Sequence, residues 1–193
     1  MTTAGFARIL LLFGTQRFLE LLYSERNERM IQQRQPDAPQ AGRSVWPLIA
    51  AINLGLFTLP VVERWRRRRP PPRPVAAFGW GLALGAVALR LSVLATLREA
   101  WNVRAVVPSD LQVVDRGPYR WIRHPNYVAL GLEFLGLPLI GGAYICAILL
   151  SGANAWLLGR RIAEEDALLM SIPGYRERMG GKPSFIPRRL SGR

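Results

Sequence analysis

The segment Gly117-Pro118-Tyr119-Arg120-Trp121-Ile122-Arg123-His124-Pro125-Asn126-Tyr127 contains the only histidine of the 193-residue chain. It opens directly onto a mostly apolar run, Val128 to Leu158, whose one charge is Glu133. Cations and aromatics crowded into a turn-prone stretch, followed at once by a long apolar run, have no use in a soluble core. They suit a polar site at the mouth of a membrane bundle. The run is too long for one crossing of a hydrocarbon layer of roughly 30 Å at about 1.5 Å per residue. Pro138, Gly141 and Gly142 interrupt it near the middle, which predicts a tight helical hairpin that returns its two ends to the same face.

Upstream, Val45 to Val62 has no charged residue and predicts a spanning helix. Glu63 to Pro74, rich in arginine and proline, ends it, since proline lacks a donor and disfavours helix in the residue before it. Val75 to Leu97 predicts the next span. Gly79, Gly81 and Gly85 offer it small surfaces for helix contact, and Arg90 must either reach an interface or pair inside the bundle. Residues 4 to 23 predict a first, partly amphipathic span in which Arg17 and Glu20 lie i,i+3. Residues 24 to 44 read as a polar connection in water. The fold expected is all-α: a polytopic integral membrane helical bundle of about five transmembrane helices, with a C-terminal cytoplasmic cofactor-binding segment.

Half the residues are hydrophobic, yet the formal charge is +13, and the basic excess is arginine apart from Lys182. The cations cluster between apolar runs, as expected of loops facing anionic lipid and not of a nucleic-acid surface. By positive charge, the face carrying residues 24–44, 98–127 and the C-terminal tail is the cytoplasmic one, although the short arginine loop at 63–74 breaks the rule locally. Cys146, the single cysteine, lies in an apolar stretch and reads as packing; one histidine and one cysteine make no metal set. No phosphate-binding or nucleophile-elbow motif occurs in a fitting context.

Two polar constellations flank the hairpin: Arg123-His124-Pro125-Asn126-Tyr127 and Arg160-Arg161-Ile162-Ala163-Glu164-Glu165. On a helix Arg160 pairs with Glu164, and Arg161 with Glu165, at i,i+4. From the residues alone, the conclusion is that a polar ligand binds at the mouth of the bundle.

At these residues the chain resembles the isoprenylcysteine carboxyl methyltransferase family of membrane enzymes. The resemblance lies in the order Leu111-Gln112-Val113-Val114, Gly117-Pro118-Tyr119, Arg123 to Tyr127, then Arg160 with Glu164-Glu165 after a hairpin. It makes residues 1–97 the N-terminal transmembrane helices and 98–193 the catalytic core. Arg17-Phe18-Leu19-Glu20-Leu21, Ser24-Glu25-Arg26-Asn27-Glu28 and Trp101-Asn102 look like a bacterial branch associated with type III polyketide synthases, which methylates a hydroxyl of alkylpyrone or alkylresorcinol lipids. The resemblance implies S-adenosyl-L-methionine as cofactor, held by Leu111 to Val114, Tyr119, His124, Pro125, Asn126, Tyr127 and Glu164. It implies that Arg160 faces the acceptor, with Arg161 the alternative register, and that Glu165 serves as base. The segment Tyr175 to Arg189 resembles the tail that lies over the cofactor. The partners so implied are a lipophilic acceptor and membrane lipid, with no nucleic acid, at a bacterial inner membrane. Prenylcysteine carboxylates are the alternative acceptors, and a noncatalytic membrane scaffold is the alternative of another class.

Overall fold

The computed structural model describes residues 1–187, and its regular elements are all helical. In chain order they are α1 (Thr3–Arg34), α2 (Trp46–Arg67), α3 (Arg73–Leu97), two short 3-10 turns (Arg98–Ala100 and Gly117–Arg120), α4 (Pro125–Gly141), α5 (Tyr144–Met170) and α6 (Tyr175–Met179). Three of them, α2, α3 and α5, are long and apolar enough to cross a membrane. The other two expected spans differ. At 17 residues, α4 reaches only about 26 Å, and α1 carries Arg8, Arg17 and Glu20 along the segment that was expected to cross.

Those charges have partners within the bundle. Arg90 of α3, almost fully buried, donates from Nη2 to Glu133 Oε2 of α4 (3.0 Å) and from Nη1 to Asn126 Oδ1 (3.1 Å), and its Nε lies 3.6 Å from Glu20 Oε2. Arg17 bridges Glu20 (3.1 Å) and Glu133. Two guanidiniums and two carboxylates thus meet as a neutral group joining α1, α3 and α4. That is the arrangement in which buried charge is tolerable, because each ion loses water only against an opposite ion. Around it Phe6, Leu10, Phe13, Leu56, Phe134, Leu137 and Ile140 form the apolar core.

α3 and α4 cross with their backbones in contact. A Cβ on Gly79 would lie 2.8 Å from Ile140 N, and one on Gly136 would lie 2.8 Å from Leu82 Cβ and 2.9 Å from Ala83 N. Of the three glycines expected to pack, Gly79 alone does so; Gly81 and Gly85 have open space where a Cβ would stand. α4 runs on through Pro138, and the hairpin turns at Gly142, whose φ of 74° is open to glycine without strain. Both carboxylate oxygens of Glu63 cap the start of α5, accepting from Ile145 N (3.1 Å) and Cys146 N (2.8 Å). Part of the arginine-rich loop is likewise spent within the fold: Arg64 is buried and donates to Met1 O (3.0 Å) and to Arg69 O.

Residues 24–34 continue α1 instead of forming a connection. Their polarity misleads because it faces inward. Ser24, Asn27 and Glu28, spaced as one helical face, are all buried and bind the backbone of the segment after α3.

Candidate active site

The hairpin brings the two polar constellations together at one end of the bundle. Pro125 is the first residue of α4, where its missing N–H is no loss, and His124 precedes it at the cap. The buried His124 ring donates from Nε2 to Asp166 Oδ1 of α5 (2.8 Å), and its Nδ1 lies 4.0 Å from Glu165 Oε1. Arg123 Nη1 lies 3.1 Å from the other oxygen of Asp166. The Tyr127 hydroxyl donates to Glu165, and the Arg161 guanidinium stacks over the Tyr127 ring at 5.5 Å. Asp166 is thus the anchor of the His124 turn, a role the sequence reading did not assign. The only available signal was a third acid immediately after Glu164-Glu165, opposite the only histidine.

A strap covers the His124 turn from outside. The Arg123 and His124 N–H groups donate to Pro183 O and Ser184 O, both at 3.0 Å, and the Phe185 ring lies 6.3 Å from the imidazole. Lys182 latches this strap to Asp115 and to Tyr119 O (2.9 Å). The expected covering tail ran to Arg189; Arg188 and Arg189 lie outside the described residues.

Beside the His124 turn lies a cavity of about 130 Å³. Its wall includes Leu111, Gln112, Val113, Val114, Tyr119, His124, Asn126, Tyr127 and Glu165, nine of the expected site residues, together with Trp101, Arg123, Arg161 and Tyr175. Burial holds the hydroxyls of Tyr119 and Tyr175 well above the usual phenol range. The negative charge of Glu165 beside Tyr119, and of Asp166 and Glu165 beside Tyr175, adds to that effect, so both stay protonated donors. Trp101 Nε1, Arg123 Nε and Arg161 Nε are buried in this wall with no hydrogen-bond partner. Three orphaned donors around one cavity suit a ligand rich in acceptor atoms, because a buried donor otherwise costs about 1–3 kcal/mol.

Three expected residues stand outside the wall. Pro125 is fully buried at the start of α4 and shapes the turn. Arg160 is exposed and stacks over Trp156 at 4.5 Å on the outer face of α5, so Arg161 is the arginine that points inward. Glu164 was expected to hold the methionine part of the cofactor. Its carboxylate instead accepts from the buried Gly42 N–H at 2.7 Å, clamping the α1–α2 connection to α5. Gly42 has φ 69°, and a Cβ there would sit 2.9 Å from Arg161 Cγ, so the clamp also fixes the inward arginine. Glu164→Gln, which keeps an acceptor for Gly42, is therefore expected to hold the wild-type thermal midpoint. Glu164→Ala will lower the thermal midpoint by the cost of one unsatisfied buried N–H, about 1–3 kcal/mol. Differential scanning fluorimetry of both variants checks this.

The far wall is held by the buried face of α1. Asn27 Nδ2 donates to Trp101 O (2.8 Å) and Arg98 O (3.2 Å), Ser24 Oγ accepts from Val103 N (2.7 Å), and Glu28 Oε1 accepts from Arg104 N (3.3 Å). Asn102 closes a local turn with Val106, and residues 39–41 pair with 105–107 through Ala41 N to Ala105 O and Val107 N to Pro39 O. The Ser24–Glu28 and Trp101-Asn102 signatures are therefore two sides of one contact. Asp166→Ala frees both Arg123 and His124 at once, and is expected to cost about 1.5–3 kcal/mol of stability, readable by denaturation.

Comparison with known proteins agrees with this architecture. The model of the isoprenylcysteine carboxyl methyltransferase family matches residues 79–171, the stretch from the α3–α4 crossing to the end of α5. A Bacillus subtilis protein described as the uncharacterized protein YpbQ is 31% identical over 159 residues, 80% of this chain and 90% of that protein. An uncharacterized Haemophilus influenzae protein is 24% identical over 157 residues, with 81% and 90% covered. The Schizosaccharomyces pombe protein-S-isoprenylcysteine O-methyltransferase is 32% identical over 80 residues, 40% of this chain and 34% of that enzyme. The chain belongs to the isoprenylcysteine carboxyl methyltransferase family of membrane-integral methyltransferases.

Proposed function

We propose that this protein is an S-adenosyl-L-methionine-dependent O-methyltransferase acting on the hydroxyl of a lipophilic acceptor such as an alkylpyrone or alkylresorcinol. The observation that carries the reading is the cavity beside the His124 turn, whose wall includes the three residues with partnerless donors, Trp101 Nε1, Arg123 Nε and Arg161 Nε, and the apolar side chains of Leu111, Val113 and Val114. Donors fit a carboxylate and ribose hydroxyls, and the apolar wall fits an adenine. When bound, the cofactor would supply an electrophilic methyl carbon, with Trp101, Arg123 and Arg161 placed to hold its polar groups and Leu111, Val113 and Val114 its adenine. The protein's own tasks are alignment and exclusion of water. His124 and Asp166 fix the start of α4, the strap holds the His124 turn in place, and Arg161, stacked over Tyr127, would face the acceptor oxygen. Glu165 keeps the base role only as a proposal, since the Tyr127 hydroxyl already occupies one of its oxygens.

A membrane setting suits such an acceptor, because an alkyl tail costs about 0.8 kcal/mol per methylene to bring into water. The surplus of cations at the site's end of the bundle supports a cytoplasmic face at a bacterial inner membrane. The fission yeast relative's name favours prenylcysteine carboxylate as the second reading, but its likeness covers 80 residues, less than half of this chain. The test is calorimetric titration of the detergent-purified protein with S-adenosylhomocysteine. His124→Ala is expected to weaken binding more than tenfold, a loss of at least about 1.4 kcal/mol. Folded wild type that does not bind overturns the reading.

A further inference from the structure

Arg90 lies deep in the bundle, 3% exposed, and each nitrogen of its guanidinium faces one partner. Nε lies 3.6 Å from Glu20 Oε2, Nη2 donates to Glu133 Oε2 at 3.0 Å, and Nη1 donates to Asn126 Oδ1 at 3.1 Å. Asn126 and Glu133 stand about two turns apart on one face of α4, so a single planar fork reaches both and is held by both. A guanidinium offers only N–H donors and no acceptor. The atom of Asn126 that meets it is therefore the oxygen, and the amide NH2 faces away. Among the described residues no group accepts from Asn126 Nδ2, and that nitrogen is not sealed off as Trp101 Nε1, Arg123 Nε and Arg161 Nε are. Asn126 borders the cavity beside the His124 turn and, on another side, the space between α1 and α2.

We infer that Arg90 is a positioning residue for the cavity beside the His124 turn: by holding Asn126 Oδ1 it turns the Asn126 NH2 into that cavity, as a donor to an oxygen of the bound cofactor. The inference rests on the methyltransferase reading above. A buried ion group gives little net stability, since apolar residues of the same volume often serve as well or better. What this one supplies is a direction. An asparagine amide without a fixed partner can turn over and present either its oxygen or its nitrogen, and an oxygen facing into this wall would set one acceptor against another. Beside an arginine, always charged and donor-only, one orientation alone is available. Glu20 of α1 and Glu133 of α4 hold the fork, so three helices settle the direction of one amide. Arg90 thereby acts on a cavity that it does not itself line.

The test is calorimetric titration of detergent-purified variants with S-adenosylhomocysteine, each variant first shown to be folded by its size-exclusion profile and its ligand-free thermal midpoint. Asn126→Asp keeps an oxygen for Arg90 but replaces the NH2 with a second acceptor, and its dissociation constant is expected to rise at least about tenfold, the loss of one charge-assisted hydrogen bond. Arg90→Gln combined with Glu133→Gln leaves Arg17 and Glu20 as a balanced pair. A glutamine accepts as well as donates, so the Asn126 amide is free to turn over, and binding is expected to weaken about three- to tenfold. Arg90→Lys, which offers donors only, is expected to stay within about threefold of wild type. Charge balance or packing alone does not produce that order, because the double variant keeps the group neutral and lysine fits the fork's place poorly. Asn126→Asp that binds as tightly as wild type overturns the inference, and is the result expected if the NH2 faces the space between α1 and α2 instead. A double variant that binds like wild type, or a lysine variant as weak as the double variant, overturns the role of Arg90, and this comparison decides alone if Asn126→Asp does not fold. Folded wild type that does not bind is a different outcome: it overturns the methyltransferase reading, and this inference with it.

Discussion

Arg161→Ala will lower the methyl-transfer kcat by about 10²–10³, whereas Arg160→Ala will stay within about threefold of wild type. The first figure is that of removing one positioned donor from a site where charge changes in the transition state. Arg161 qualifies because it lines the cavity beside the His124 turn, stacks over Tyr127, and is 5% exposed. Arg160 is one residue away, but on a helix that is about 100° of rotation, enough to place it on Trp156 outside the bundle. Single-turnover assays with a lipophilic hydroxyl acceptor would separate the two. The folding of Arg161→Ala needs its own check, since the variant also frees Val103 O from its guanidinium donor. Its thermal midpoint and size-exclusion profile supply that check. Equal loss in both variants would show that the inward register is wrong.

The contrast between these neighbours shows how far the sequence was legible. The apolar runs placed α2 and α3 to within a few residues and the hairpin at Pro138–Gly142, because an uninterrupted apolar stretch has few ways to satisfy its backbone away from water. The Arg123–Tyr127 turn was legible for a similar reason, since proline after histidine fixes where a helix begins. Register at Arg160-Arg161 was not legible, because both arginines have the same i,i+4 acid and only tertiary contact distinguishes them. The buried polar face of α1 was misread for the opposite reason. Ser24, Asn27 and Glu28 look solvated by composition, and what makes them internal is the backbone of residues 98–104, whose carbonyls and N–H groups need partners. Asp166 was lost among three consecutive acids whose directions depend on helix rotation. Local covalent constraints were readable, then, while partner choice among equivalent charges was not.

The same limit governs the glycines of α3, and there it has a measurable consequence. Gly79, Gly81 and Gly85 are equivalent in sequence terms, yet Gly79 meets the backbone of α4 and the other two meet nothing within 4 Å. Its counterpart is Gly136, where an added Cβ would stand 2.9 Å from Gly79 O and 2.9 Å from Ala83 N. Main-chain atoms of two packed helices cannot rotate aside as a side chain can. Gly136→Leu must therefore separate α3 from α4, and that movement drags apart Arg90 and Asn126, Arg90 and Glu133, and with them the start of α4 at the site. Overpacking by itself costs about 1–3 kcal/mol, and stranding a buried ion pair member costs about 3–5 kcal/mol more, against a total stability of about 5–15 kcal/mol for a typical protein. Gly136→Leu is expected to yield little folded protein in detergent and no S-adenosylhomocysteine binding. Gly85→Leu, with open space at its Cβ, is expected to match wild type within about 0.5 kcal/mol. Size-exclusion profiles and thermal midpoints of the pair decide the matter: comparable folding of both variants would mean that the two helices do not cross at Gly79 and Gly136, and the positions assigned to Arg90 and Asn126 would fall with that crossing.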